Sequence, residues 1–62
     1  MKAYIARDED NKLYLYKTKP VKGEKVWGYV ALNEYYEIDS HLFPEIQWKD
    51  SEPTSVIITI NK

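Results

Sequence analysis

No cysteine occurs anywhere in this 62-residue chain, and His41 is its only histidine. Disulfide staples and thiolate or imidazole zinc cages are therefore excluded, because each needs several such ligands. A chain of this length buries only about 60% of its unfolded surface, so its core is marginal without outside help. Stability has to come from apolar packing or from a partner subunit. Six Tyr, two Trp and one Phe supply large buried area at modest entropic cost. There is room for one core, so residues 1–62 read as a single small β domain.

The β reading comes from pattern. Tyr4–Arg7 and Lys12–Lys17 are short β-prone runs flanking Asp8-Glu9-Asp10-Asn11, where Asn11 or Asp10 can take the left-handed conformation of a tight hairpin. In the second run Leu13 and Leu15 alternate with Tyr14 and Tyr16, giving one aliphatic and one aromatic face. Neither face is plainly polar. Thr18–Glu24, with Pro20 and Gly23 among lysines, reads as a connecting loop. A third strand is expected over Lys25–Leu32, with Gly28 marking a bulge or a close approach, and a fourth over Glu34–Ile38 after a turn near Asn33.

Asp39 or Ser40 can cap the amides that follow, while Pro44 discourages helix at Phe43. At most one short helical turn is expected near 39–43. Leu42, Phe43, Ile46 and Trp48 are read as plugging the end of the sheet. After a polar loop at Lys49–Pro53, the β-branched run Thr54–Asn61 predicts a closing strand with Val56, Ile58 and Ile60 on one face. Left on an open edge, that run is an aggregation hazard, so it is expected centrally or at a subunit interface. The fold class is mainly β: an antiparallel sheet of four to five strands, with curling into a small open barrel as one form it can take.

No motif carries chemistry. The acidic turn at Asp8–Asn11 lacks the glycine and bidentate glutamate of a calcium loop, whose places fall on Leu13 and Lys19. Asp39-Ser40-His41 cannot form a hydrolytic triad, since sequence neighbours do not give the geometry of nucleophile, base and orienter. Glu34, Glu37 and Glu45 carry no sign of acid–base pairing, and two glycines make no phosphate loop. No catalytic residue, metal or cofactor is expected, and the chain reads as a non-enzyme.

Two features invite a binding reading. From Lys12 to Lys25 five lysines face one Glu, whereas from Glu34 to Glu52 six acids face Lys49 alone. The rings of Tyr14, Tyr16, Trp27, Tyr29, Tyr35 and Tyr36, with Lys17, Lys19 and Lys22 beside them, are the candidate binding residues. Solvating charge and structural rings are the plainer account of both features. The expected function is a non-enzymatic protein–protein interaction module, because Tyr and Trp are enriched at hot spots. The alternative is single-stranded nucleic acid stacked on the aromatic face, against which stands an isoelectric point near 5.7. Self-association is a further option for so small a β protein. The N-terminal residues form no signal-peptide core and no apolar run is long enough to span a membrane, so the chain is expected to be cytoplasmic.

The opening Met1–Asp8, with its "YIARD" strand, and the segment Leu42–Pro53, with "LFPE" before Trp48, resemble a group of small uncharacterised proteins of gut bacteria, phages and prophages. The likeness extends over nearly the whole chain and includes the "LYLY" strand and the Trp-Gly pair; members often have Gly where Asn11 stands. It implies no activity or cofactor, only a mobile-element origin.

Overall fold

The computed structural model describes residues 1–28 and 35–59. Six strands are present among them: β1 Lys2–Arg7, β2 Leu13–Tyr16, β3 Val21–Lys22, β4 Trp27–Gly28, β5 Tyr35–Ile38 and β6 Thr54–Ile57. Four form an antiparallel sheet in the order β5-β2-β1-β6, and β3 and β4 form a separate two-stranded ribbon. The sheet is open rather than closed into a barrel, with β5 and β6 at its edges. There is no helix among the described residues.

The first hairpin forms as its turn residues dictate. Asp8 N–H donates to the Lys12 carbonyl at 2.9 Å, and Asn11 N–H donates to the Asp8 carbonyl at 3.0 Å. Asn11 has φ 77°. A four-residue turn closed by one residue in the left-handed region is the usual three-residue hairpin loop, and Asn tolerates that conformation better than most side chains. The Asp10 carboxylate accepts Lys12 N–H at 3.0 Å and stiffens the exit.

Register then sorts the side chains. Ile5 pairs with Leu15 and Arg7 with Leu13, whereas Tyr4 pairs with Tyr16 and Ala6 with Tyr14. The aliphatic face gathers Ile5 and Leu13, with Leu15, Ile38 and Val56 against them, and is covered by Ile46. On the aromatic face Ala6 and Tyr16 pack with Trp27, and Tyr4, Tyr14 and Trp48 adjoin. Each face thus has its own cover, the Ile46 segment on one side and the ribbon tryptophan on the other. That is why the strand sequences show no polar face.

Several expectations need correction. The segment Thr18–Glu24 is not all loop, because Val21 and Lys22 pair with Gly28 and Trp27. Gly23 N–H donates to the Val26 carbonyl at 2.8 Å, and a Cβ at Gly23 would stand only 2.8 Å from that oxygen. Glycine is required there by close approach. Gly28 marks no bulge: it pairs in register, and a Cβ would meet the Val21 carbonyl at an ordinary 3.7 Å. Of the expected strand Lys25–Leu32 only Trp27–Gly28 is strand within the described residues, and the rest of that run, with the turn near Asn33, lies partly outside them.

The β-branched run is at an edge, not central. β2 already occupies one side of β1, so β6 takes the remaining side, pairing Ala3 with Val56 and Ile5 with Thr54. The end of that run, including Ile60, lies outside the described residues. Between β5 and β6, three turns follow one another without overlap: Leu42 N–H to Asp39, Ile46 N–H to Phe43 and Asp50 N–H to Gln47, at 3.0, 2.9 and 3.1 Å. The short turn near 39–43 is the first of them. Ile46 is buried and Trp48 half-buried, but Leu42 and Phe43 are exposed rather than plugging the sheet.

Candidate functional site

The rings singled out in sequence do not form one surface. Tyr14, Tyr16 and Tyr35 form a triangle with centroid separations of 6.3, 5.8 and 5.8 Å. Tyr16 is buried and its hydroxyl donates to the Trp27 carbonyl at 3.3 Å. Burial, and then the Asp8 charge, push that phenol well above its ordinary pKa. Tyr14 is raised too, first by desolvation and then by Glu37, its partner across the strands. Trp27 is also buried, with its indole N–H donating to the Arg7 carbonyl at 3.1 Å. Tyr36 neighbours Tyr35 in the strand and so points to the opposite face, opposite Leu15. Tyr29 lies outside the described residues.

The lysines are similarly divided. Lys22 donates from Nζ to the carbonyls of Trp48 and Asp50, the latter at 2.8 Å. Its ammonium also lies 4.4 Å from the Trp48 ring centroid and 5.7 Å from that of Trp27. It is a clamp between two tryptophans, not a loose surface charge. Lys19 pairs with Glu52 at 3.4 Å, an exposed contact that links the basic half to the acidic half. Lys17 is exposed at the end of β2.

The most constrained group is one that residue counting passes over. Arg7 is 6% exposed, at the end of β1 on the aliphatic face. Its Nε donates to the Ile46 carbonyl at 2.7 Å; Nη1 donates to Asn11 and Ser40 carbonyls at 2.9 and 3.0 Å; Nη2 donates to Leu42 and Phe43 carbonyls at 3.1 and 3.3 Å. A guanidinium has five N–H donors, and five carbonyls receive them. No donor is left for a ligand. The signal was in the alternation Ala3, Ile5, Arg7, which puts the cation on an apolar face where it must be satisfied internally.

Arg7 thereby fixes the turn that carries Leu42 and Phe43. Phe43 has φ 50°, a strained conformation for an aromatic residue, and precedes Pro44. Their side chains remain 47% and 39% exposed. Asp39 holds the start of the same segment, accepting His41 N–H at 2.9 Å and meeting His41 Nδ1 at 3.0 Å. Those bonds lower the Asp39 carboxyl below its ordinary pKa. The arrangement is a capped turn.

Beside this turn lies an open cleft of about 630 Å³, lined in part by Asp8, Glu9, His41, Pro44, Trp48 and Lys49. Asp8 in its lining is buried and accepts the Trp27 N–H at 2.9 Å; desolvation raises its pKa. No group of three His, Cys, Asp or Glu among the described residues is placed to hold a metal. No helix among them is long and apolar enough to cross a membrane. No family model, no curated protein and no solved structure matches the chain.

Proposed function

We propose that this chain is a non-enzymatic protein-interaction module whose contact point is the Leu42–Phe43 turn. The observation that carries this reading is the pairing of exposure with constraint. Two adjacent large apolar side chains face solvent, on backbone whose carbonyls are both held by the buried Arg7. Scattered exposed apolar residues need no explanation, but apolar residues displayed on strained, rigid backbone point to function. Rigidity reduces the entropy lost when a partner binds. The partner this fits is a protein with a concave apolar pocket that takes the Phe43 ring.

The internal engagement of Lys22, and the burial of Tyr16 and Trp27, weigh against nucleic acid on the aromatic face. The resemblance to phage and prophage proteins supports a mobile-element origin for the module.

Affinity capture from a host lysate tests the reading when the natural chain is compared with L42S/F43N at low and high salt. Asn accepts the left-handed conformation, so the fold should persist in the variant. A protein retained by the natural chain at both salts and lost by the variant supports the module. Equal retention by both chains removes the turn from the interface. Nucleic acid released at high salt favours the alternative.

A further inference from the structure

We infer that a second copy of this chain pairs with the outer edge of β6, antiparallel about a two-fold axis at Val56, to make one sheet through two molecules. The surface differs from the Leu42–Phe43 turn, so neither reading depends on the other.

The backbone sets which groups are available. Ile58 N–H donates to the Met1 carbonyl at 2.7 Å, and the Met1 ammonium donates to the Ile58 carbonyl at 3.0 Å. Met1 and Ile58 are thus a hydrogen-bonded pair. In an antiparallel ladder such pairs alternate with pairs that are not bonded to each other. Counting back along the register, Val56 and Thr54 direct their amides and carbonyls toward Ala3 and Ile5 of β1. Ser55 and Ile57, opposite Tyr4 and Lys2, direct theirs away from the sheet. Among the described residues no strand receives them.

The side chains offer no defence of that edge. Residues 54–59 contain no charge, proline or glycine, the devices that usually blunt an edge strand, whereas β5 at the other edge carries Glu37. Ile57 is 79% exposed, the most exposed of the large apolar residues described. A second copy is the occupant this edge fits, because the outward residues Ser55 and Ile57 lie symmetrically about Val56 and so complement themselves, on a strand equally free of charge, proline and glycine.

Geometry then narrows the register. Outward residues bond only to outward residues, so Ser55 and Ile57 of one copy must face odd-numbered positions of the other. Pairing Ser55 with Ile57 and Ile57 with Ser55 uses residues inside the strand itself and places Val56 opposite Val56. Sliding so that Ser55 faces Ser55 would set Ile57 against Pro53, which has no N–H to give. Val56 already packs on the aliphatic core, so its meeting with its mate makes the two cores contiguous. The result is an isologous contact that closes on itself and does not propagate.

Sedimentation over a range of concentrations, with single-cysteine crosslinking in a chain that has no cysteine of its own, tests the inference. The natural chain is expected to sediment at twice its 7.4 kDa mass as concentration rises. V56C should form a disulfide with itself under mild oxidation, since facing Cα atoms in a non-bonded pair are about 4.5 Å apart. I57C should not, its mate being two positions out of step along the strand. I57P removes an outward N–H and I57K adds an edge charge at an exposed position; each should run at one chain mass with an unchanged β spectrum, and I57K serves if the proline variant does not fold. A natural chain that stays at one chain mass throughout, a dimer that survives I57K, or crosslinking by I57C in place of V56C would each overturn it.

Discussion

The Arg7 guanidinium donates to the Phe43 carbonyl at 3.3 Å across thirty-six positions of sequence, and Phe43 is one of two non-glycine residues described with positive φ. Among the described residues, the contact joins the buried cation to an aromatic residue with positive φ. Backbone strain of this kind costs on the order of 1–3 kcal/mol and persists only where surrounding bonds over-determine it. Here those bonds come from a single side chain that also ties Ser40, Ile46 and the Asn11 turn to the end of β1.

R7M should therefore unfold much of the molecule. It leaves five carbonyls without their donor, and losing the partner of buried groups costs about 1–3 kcal/mol for each group that water cannot reach. Total stability for a chain of this size is only about 3–9 kcal/mol. Urea denaturation is expected to show the midpoint falling by at least half. R7K, with three donors on a compact head, should recover only part of the loss.

The two glycines should respond in opposite ways to alanine. G23A places a methyl 2.8 Å from the Val26 carbonyl and should cost about 1–3 kcal/mol by forcing the ribbon apart. G28A meets only an ordinary contact at 3.7 Å and should be neutral or stabilising by about 0.5 kcal/mol, through a less disordered unfolded chain. Thermal melts of the two variants side by side decide the matter. Equal destabilisation would mean the ribbon is not closed as described.

Asp8 gives a pH dependence with a definite sign. Desolvation raises its carboxyl above the ordinary 3.8, outweighing the bond from Trp27 N–H. A raised folded pKa means that the stability belonging to this group is full below 3.8 and is lost as pH rises through the folded value. D8N keeps an oxygen for Trp27 and removes the buried charge. The variant should match the natural chain at low pH and exceed it at neutral pH. Asp39, whose pKa is lowered, contributes oppositely but equally in both chains. A gap that widens toward acid would refute this assignment.

Lys22 should report through tryptophan fluorescence. K22M removes the cation from between Trp27 and Trp48 and frees the carbonyls of Trp48 and Asp50. A red-shifted emission with a loss of about 1–2 kcal/mol is expected, the sum of a cation–π contact and charge-assisted bonds. Unchanged emission would mean that the two rings are held by other contacts.

The first hairpin was legible because its determinants are local: Asn11 can take a left-handed conformation, and Leu13 and Leu15 alternate with Tyr14 and Tyr16. The antiparallel pairing of the sheet and the Asp39 turn followed from equally short-range signals, whereas nothing local distinguished an open sheet from a curled one. What escaped depends on contacts far along the chain. Val21 and Lys22 look like loop between Pro20 and Gly23, and become strand because Lys22 is anchored by carbonyls 26 and 28 residues away. Tyr36 joined the ring set by composition, although alternation from Tyr35 puts it on the other face. Arg7 was passed over since five acceptors from three separate turns cannot be counted in a linear string. That β6 does not lie centrally escaped because its residues bear none of the usual edge signs.

The position of β1 also orders events in time. Its partner β2 emerges directly after it during synthesis, but β6 follows about fifty residues later, a delay of several seconds at about 5–20 residues per second. Through that interval the first hairpin, the β3–β4 ribbon and β5 are all synthesised ahead of β6. The long-range closure of β1 by β6 is the slow, entropically costly step, so a chaperone or ribosome-bound factor that meets this protein meets it with the side of β1 still uncovered.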